Sequence, residues 1–546
     1  MSAACTIVHV SVFNPAGLCT NHQSVDTTDR PLFGLETEFM LRLIALGVGA
    51  GVFCLLVILN VGGYRYGVSD QAFYIPVVQL GLEPTLFPHD KPLLDAQNQL
   101  FAFDDLFALL IRVTGASLPV AFFISYLAGL TILYGATVSI GRSLFNTWWG
   151  VSTFALALSI RHRIPDTAVN TLEAYLHPRQ LALAVGLVAV AVFLRGRTWF
   201  AISAVAVALL LHPTTAIWFA ILIGIAILVS DRESRQPVLA LAGGIGAAAT
   251  VLLASTLREQ VALMDPTWMS LLQSKDYLHA TDWPMITWFA NLGFAAIIAA
   301  IYDYRRALGI TTPRETGLVC GCASLLLLFL ISVPLAHAGV ALVVQLQFSR
   351  IFWLLDILAI AYMAWLLVES PIGQRTPPKQ TRVRYAVVAM VFALTVARGS
   401  YVTYVEQADR PLIEIDLPTN EWTQVMGWAG ERPIGTHFLV DPGHAWRYGS
   451  SVRAASGRDV YLEEIKDIGI AIYSSQIAQR VSNRIAELGN FSELDSKRAR
   501  RLAHRYHLDY LITEHPIELP LVHQQGPFNV YDLRADNRLA LSLNND

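Results

Sequence analysis

Long apolar runs separated by short polar loops fill the first four hundred positions of the chain. Runs of about 17–25 apolar residues are long enough to cross a hydrocarbon core as helices. Such runs, some slightly shorter, fall at roughly 41–61, 117–140, 147–161, 179–195, 198–212, 213–230, 238–257, 284–303, 316–335, 350–369 and 384–401. The stretch 198–230 is too long for one span and is interrupted at His212-Pro213. Proline removes a helical hydrogen bond and opposes the preceding turn, so a tight reversal is predicted there. The pattern predicts a multi-span α-helical membrane protein with about eleven transmembrane helices.

From residue 402 the pattern shortens. Segments 438–442, 459–462, 508–513 and 528–533 read as strands, and 475–488 and 492–505 as helices. Strands separated by helices favour a partly parallel sheet, hence a C-terminal soluble α/β domain over 402–546. Before the first span, residues 1–36 are expected to be a disordered N-terminal arm without a cleavable signal. The polytopic part then covers 37–401, with a large first loop at 62–116 whose segments 77–82 and 100–113 read as amphipathic interfacial helices.

Composition agrees with this division. Of 546 residues, 54% are hydrophobic and only 15% charged, against about a quarter charged in soluble proteins. One compact water-soluble domain is thereby excluded. The tail alone holds 15 of the 39 Lys/Arg and 20 of the 42 Asp/Glu. No basic patch points to nucleic acid, and the five cysteines form no disulfide framework. Placing the N-terminus in the cytoplasm puts 12 Lys/Arg in 47 residues of inner loops, against 8 in 117 residues of outer loops. The positive-inside rule favours that orientation and makes the tail extracytoplasmic. Any chemistry is then expected on the outer face, where the long loops lie.

The candidate residues are short polar groups at the outer ends of spans. Asp70 follows Gly62, Gly63 and Gly67 just beyond the first span. Desolvation would raise its pKa, as suits a general base; the alternative is a helix cap. Arg163, Asp166, Glu173, His177 and Arg179 lie in the segment 161–180. Arginine forks suit phosphate oxygens, although anchoring to headgroups or pairing with Asp166 and Glu173 would also account for them. His212 is an ionisable group inside an apolar run. Gln347 and Arg350 precede the tenth span, with Asp356 two turns deeper as a partner for Arg350. In the loop 258–283, Trp268 or Trp283 would make sugar contacts or simply pack, and Asp441, His444 and Arg447 read as a polar loop of the tail. No metal-ligand motif appears and no cofactor is predicted; a divalent metal stays open.

Together these residues resemble the family C glycosyltransferases, polytopic enzymes that use polyprenyl-phosphate-linked sugars. The local similarities are Ser69-Asp70-Gln71-Ala72-Phe73-Tyr74, the His177-Pro178-Arg179 and His212-Pro213 turns, and Gln347-Phe348-Ser349-Arg350. The segments 438–442 and 506–512 are similar to tails on bacterial members of that superfamily. Many members carry a second acid beside the first-loop aspartate, where this chain has Gln71. The resemblance implies a fold like theirs, an inner (plasma) membrane location, and transfer of a sugar from a polyprenyl-phosphate donor to an acceptor in the cell envelope. It implies Asp70 as the base, with Arg350 and Arg179 or Arg163 on the leaving phosphate. A lipid or solute transporter and a non-catalytic membrane scaffold with a partner-binding tail are the other classes this sequence admits.

Overall fold

The computed structural model describes residues 32–98, 102–255, 258–371 and 377–534. Two compact units are present, Met1–Gly49 and Ala50–Asp546, and the second contains the tail and the site. The arm expected at 1–36 lies outside the described residues up to 31, and a helix, Leu32–Asn60, already begins within it.

The chain is mostly helical. Among the described residues eight helices are long and apolar enough to cross a membrane: Met40–Asn60, Leu118–Leu144, Pro213–Ser230, Arg235–Leu252, Met285–Ala307, Pro313–His337, Ala341–Val368 and Lys379–Glu406. These make it an integral membrane protein. The remaining spans expected from the sequence, at 147–161, 179–195 and 198–212, are apolar helices at Trp148–Leu158, Pro178–Leu194 and Thr198–Leu211. At about 1.5 Å per residue they are shorter than a hydrocarbon core. The reversal at His212-Pro213 is present, with His212 closing one helix and capping the next. The run Ala341–Val368 is not one smooth helix either. Gln347 takes a left-handed conformation (φ 54°), and the chain re-enters helix at Ile351.

The first loop carries three helices, Gln71–Leu82, Lys91–Asn98 and Phe103–Thr114. Its entry strand Tyr64–Arg65 pairs in parallel with Ile413–Glu414 of the tail. The Arg65 guanidinium closes this junction on Glu414 at 3.2 Å. Loop and tail are therefore built into each other.

Five strands form the tail sheet: β1 His437–Leu439, β2 Asp459–Val460, β3 Tyr510–Thr513, β4 Leu521–Gln525 and β5 Phe528–Asp532. Their spatial order is β2-β1-β3-β5-β4; the first three are parallel and the last two antiparallel to their neighbours. Successive strand residues face opposite ways. Phe438, Tyr510, Ile512 and Val530 accordingly pack under Trp422 and Met426, while Leu439, Leu511 and Tyr531 join a second core on the other face. That second core includes Leu93 of the first loop and Trp268, Leu272 and Leu278 of the loop 258–283. Full burial of such side chains contributes about 1.5–3 kcal/mol each, so the tail is fastened along this seam. The sequence reading did not anticipate β4 or the helices Glu421–Gly430 and Glu464–Ala471.

Polar groups reinforce the seam. Asp90, fully buried, receives Arg453 Nε and Arg480 Nη2, each at 2.7 Å, and Arg453 also pairs with Asp467 at 2.6 Å. His444 belongs to this interior, paired with Glu463 at 3.1 Å, whereas Arg447 bridges Asp441 and Glu514 at the surface.

Candidate functional site

The turn before Asp70 fixes the direction of its carboxylate. Gly67 sits at φ 77°, where an added Cβ would stand 2.3 Å from Leu417 Cδ2, and Ser69 follows at φ 52°. Gln71 then locks the turn, its Oε1 accepting from Gly67 N at 2.7 Å and its Nε2 donating to the Leu176 carbonyl at 3.2 Å. Asp70 occupies the N-cap position of the helix Gln71–Leu82, yet its side chain makes no capping bond. The capping alternative is thereby corrected. The carboxylate faces a cavity and accepts from Lys466 Nζ at 2.9 Å, His177 Nε2 at 3.2 Å and the Tyr175 hydroxyl at 3.4 Å.

These partners reverse the expected pKa. Burial opposes ionisation of Asp70, but Lys466, His177 and Arg179 outweigh it and hold the carboxyl well below its usual range. His177 supplies its part as a neutral donor. Its Nδ1 accepts from Arg179 N at 3.0 Å, which leaves the proton on Nε2, toward Asp70. Burial and the adjacent Arg179 lower the His177 pKa to about 4.

The cavity has a volume of about 230 Å³. It gathers Asp70, His177, Arg179, His212, Gln347 and Arg350, from stretches of chain up to 280 positions apart in the sequence. Local signals set each one. His177 and His212 each precede a proline that starts a helix, and each caps that helix through Nδ1. The left-handed turn at Gln347 lets its Nε2 donate to the Tyr473 hydroxyl at 2.9 Å. The Arg350 guanidinium lies 5.2 Å from the centre of the Tyr277 ring, and its Nε has no hydrogen-bond partner among the described residues.

Three other expected residues lie elsewhere. Arg163 is exposed and outside the cavity, on a two-residue strand. Asp166, in a left-handed turn, accepts from the Thr287 hydroxyl at 2.5 Å. Glu173 stands behind the cavity, holding Arg179 at 3.4 Å and Asn170 at 3.2 Å. It positions Arg179 and does not line the space. Nor does Asp356 pair with Arg350; it meets His162 at 3.4 Å and the Thr171 hydroxyl at 3.4 Å. Trp268 and Trp283 are buried packing residues bonded to the Ala471 and Asp276 carbonyls.

The sequence reading named six of the sixteen lining residues as site residues. Lys275 lies in the loop 258–283, which was expected to be able to cover the cavity, but Tyr277 of that loop and Lys466 and Tyr473 of the tail were not singled out. The local signal is slight: Lys466 and Gly469 share a face at i, i+3 of the helix Glu464–Ala471, and Tyr473 lies past its end.

Electrostatically the cavity is unbalanced. Its lining holds four cationic side chains, Arg179, Lys275, Arg350 and Lys466, against one carboxylate, Asp70. Burial and the neighbouring Lys466 push the Lys275 pKa down, as crowded cations require. An anion with several oxygens is the chemistry that relieves this surplus, and planar guanidinium forks favour phosphate. A divalent cation does not fit. A hard divalent cation can keep waters but needs at least one carboxylate free to hold it, and here the one carboxylate lining the cavity, Asp70, is already paired with an ammonium while the Gln71 amide is spent on backbone. Among the described residues no cluster of three His, Cys, Asp or Glu is placed to hold a metal ion.

No protein-family model and no curated protein matches the chain. Among solved structures it is similar to the oligosaccharyltransferase of Archaeoglobus fulgidus in the apo form, with a TM-score of 0.47 at 13% identity, over 86% of this chain and 69% of that one. It is also similar to the archaeal oligosaccharyltransferase AglB from Archaeoglobus fulgidus in complex with an inhibitory peptide and a dolichol-phosphate, with a TM-score of 0.40 at 14% identity, over 87% of this chain and 69% of that one.

Proposed function

We propose that the chain is a glycosyltransferase of the family C type that moves a sugar from a polyprenyl-phosphate donor to an extracytoplasmic acceptor. The observation that carries this reading is the joining, in one cavity, of an ionised carboxylate and a surplus of phosphate-seeking cations. The sequence resemblance of the same residues supports it. The chain would lie in a bacterial inner membrane with its N-terminus in the cytoplasm, about eleven crossings and the domain 402–546 outside.

In this mechanism Asp70 accepts the proton of the acceptor hydroxyl or amine as that group attacks the anomeric carbon. The bond between that carbon and the phosphate oxygen breaks, and Arg350 and Arg179 stabilise the charge growing on the lipid phosphate. Glu173 fixes the Arg179 fork in place. His177, neutral, orients Asp70. Tail and loop close the cavity from the aqueous side and bring acceptor and donor together.

Release of lipid phosphate from a short-chain polyprenyl-phosphate sugar tests this, with the full chain in lipid nanodiscs. Asp70→Asn should slow it by about 10²–10⁴-fold while the melting temperature stays within a few degrees. Undiminished release by that variant would reject the assignment.

A further inference from the structure

The cation nearest Asp70 comes from the tail. Lys466 Nζ lies 2.9 Å from Asp70 Oδ1, although the two residues are 396 positions apart. The lysine is not a loose surface group. Its side chain is 10% exposed, and its ammonium lies 5.3 Å from the centre of the Phe73 ring. Its helix, Glu464–Ala471, meets the helix that Asp70 begins through the Phe73 ring. At Gly469 an added Cβ would stand 2.9 Å from Phe73 Cζ, so a larger residue there would push the ring aside. The next residue, Asp467, is tied to Arg453 and hence to Asp90 of the first loop. Meanwhile the amide of Gln71, beside Asp70, is turned inward onto Gly67 and Leu176 and offers the cavity no oxygen.

We propose that Lys466 is the catalytic cation of this site, doing with a built-in ammonium what a divalent metal beside Asp70 would otherwise do, and that transfer needs no divalent metal. The inference rests on the transferase reading. In the resting state the ammonium neutralises Asp70 and keeps it a poor base. When the donor enters, Lys466 passes its hydrogen bond to a phosphate oxygen. As the acceptor heteroatom bonds to the anomeric carbon, the carbon–oxygen bond to phosphate breaks and its electron pair stays on the lipid phosphate, which gains one negative charge. The acceptor proton goes to Asp70 and then to solvent. Loss of the ammonium makes Asp70 a stronger base at the moment the phosphate needs a cation.

The test uses the full chain in nanodiscs, with lipid-phosphate release and Mn²⁺ binding followed side by side, the latter by electron paramagnetic resonance. Wild-type turnover should be unchanged within twofold by EDTA or by added Mn²⁺, and the protein should bind no Mn²⁺ that Asp70→Asn abolishes. Lys466→Ala should lose about 10²-fold or more with an unchanged melting temperature, and its remaining activity should have an acid limb shifted to higher pH, because the carboxylate has lost its ammonium. Lys466→Arg should recover part of the rate. Turnover abolished by EDTA, Asp70-dependent Mn²⁺ binding, or full activity in Lys466→Ala would overturn the inference and leave the transferase reading standing. Absence of lipid-phosphate release with every metal tried would overturn that reading and this inference with it.

Discussion

Two buried clusters of charge stand close together in this protein and are built on opposite principles. Asp90 and Arg453 are fully paired with each other and with their neighbours. The two Asp90 oxygens receive Arg453, Arg480 and the Val460 N–H, and Arg453 spends its remaining donors on Asp467 and Glu463. Around Asp70 the cations outnumber the carboxylates, and Arg350 Nε and Gln347 Oε1 have no hydrogen-bond partners among the described residues. A closed network braces a fold, because each desolvated charge is repaid on the spot. An open one costs stability until something outside the chain completes it. That contrast separates the fastening of the tail from the site which the tail helps to form.

The contrast can be broken most forcefully at Arg453. Arg453→Met would leave Asp90 and Asp467 buried without their main partner, and removal of one member of a buried pair costs about 3–5 kcal/mol. Thermal denaturation of the purified chain should show a large loss of stability. Arg350→Met is the matched experiment in the open cluster. It relieves repulsion with Arg179, so the melting temperature should hold or rise, while lipid-phosphate release falls by about 10²–10³-fold. Equal destabilisation by the two variants would erase the distinction.

A smaller effect sharpens it. Asp459 accepts the N–H groups of His89 and Asp90 through Oδ1, and its Oδ2 has no partner among the described residues. Burial, then the neighbouring Asp90, raises its pKa to about 7. An unfolded aspartate ionises near 3.9. Between those values the folded chain keeps a proton that the unfolded chain has lost, so stability falls as pH rises through the window and stays lower above it. Asp459→Asn retains the acceptor oxygen and has no charge to bury. Its melting temperature should exceed the wild-type value at pH 8 by a few degrees, and the gap should vanish below pH 4.

Much of the membrane part was legible because its physics is one-dimensional. A helix in lipid satisfies its own backbone, so length and apolarity identify it. That reasoning weakens at 148–158, 178–194 and 198–211, where helices of 11, 17 and 14 residues are shorter than the spans expected. The motif turns were legible for a similar reason: His177-Pro178 and His212-Pro213 carry their cap and their proline in adjacent positions. Asp70 was singled out and does line the cavity, but its ionisation is the reverse of the expected one, since the deciding charge is Lys466, far along the chain. Arg163 and Asp166 were overvalued through proximity to Arg179 in sequence. Proximity in space is set instead by Glu173, which draws Arg179 back toward the segment without bringing those two along. Contacts between the tail and the loops leave no local pattern, which is why Tyr277 and Tyr473 were not foreseen.

In the proposed mechanism the surplus cations beside Asp70 hold the phosphate of a lipid-linked sugar. A cryo-electron microscopy structure of the full chain in nanodiscs, prepared with a short-chain polyprenyl phosphate, tests it most directly. The phosphate should lie within hydrogen-bonding distance of Arg350 and Arg179, with Lys466 turned toward it. Phosphate density at any other place, with the Asp70–Lys466 pair undisturbed, would contradict it.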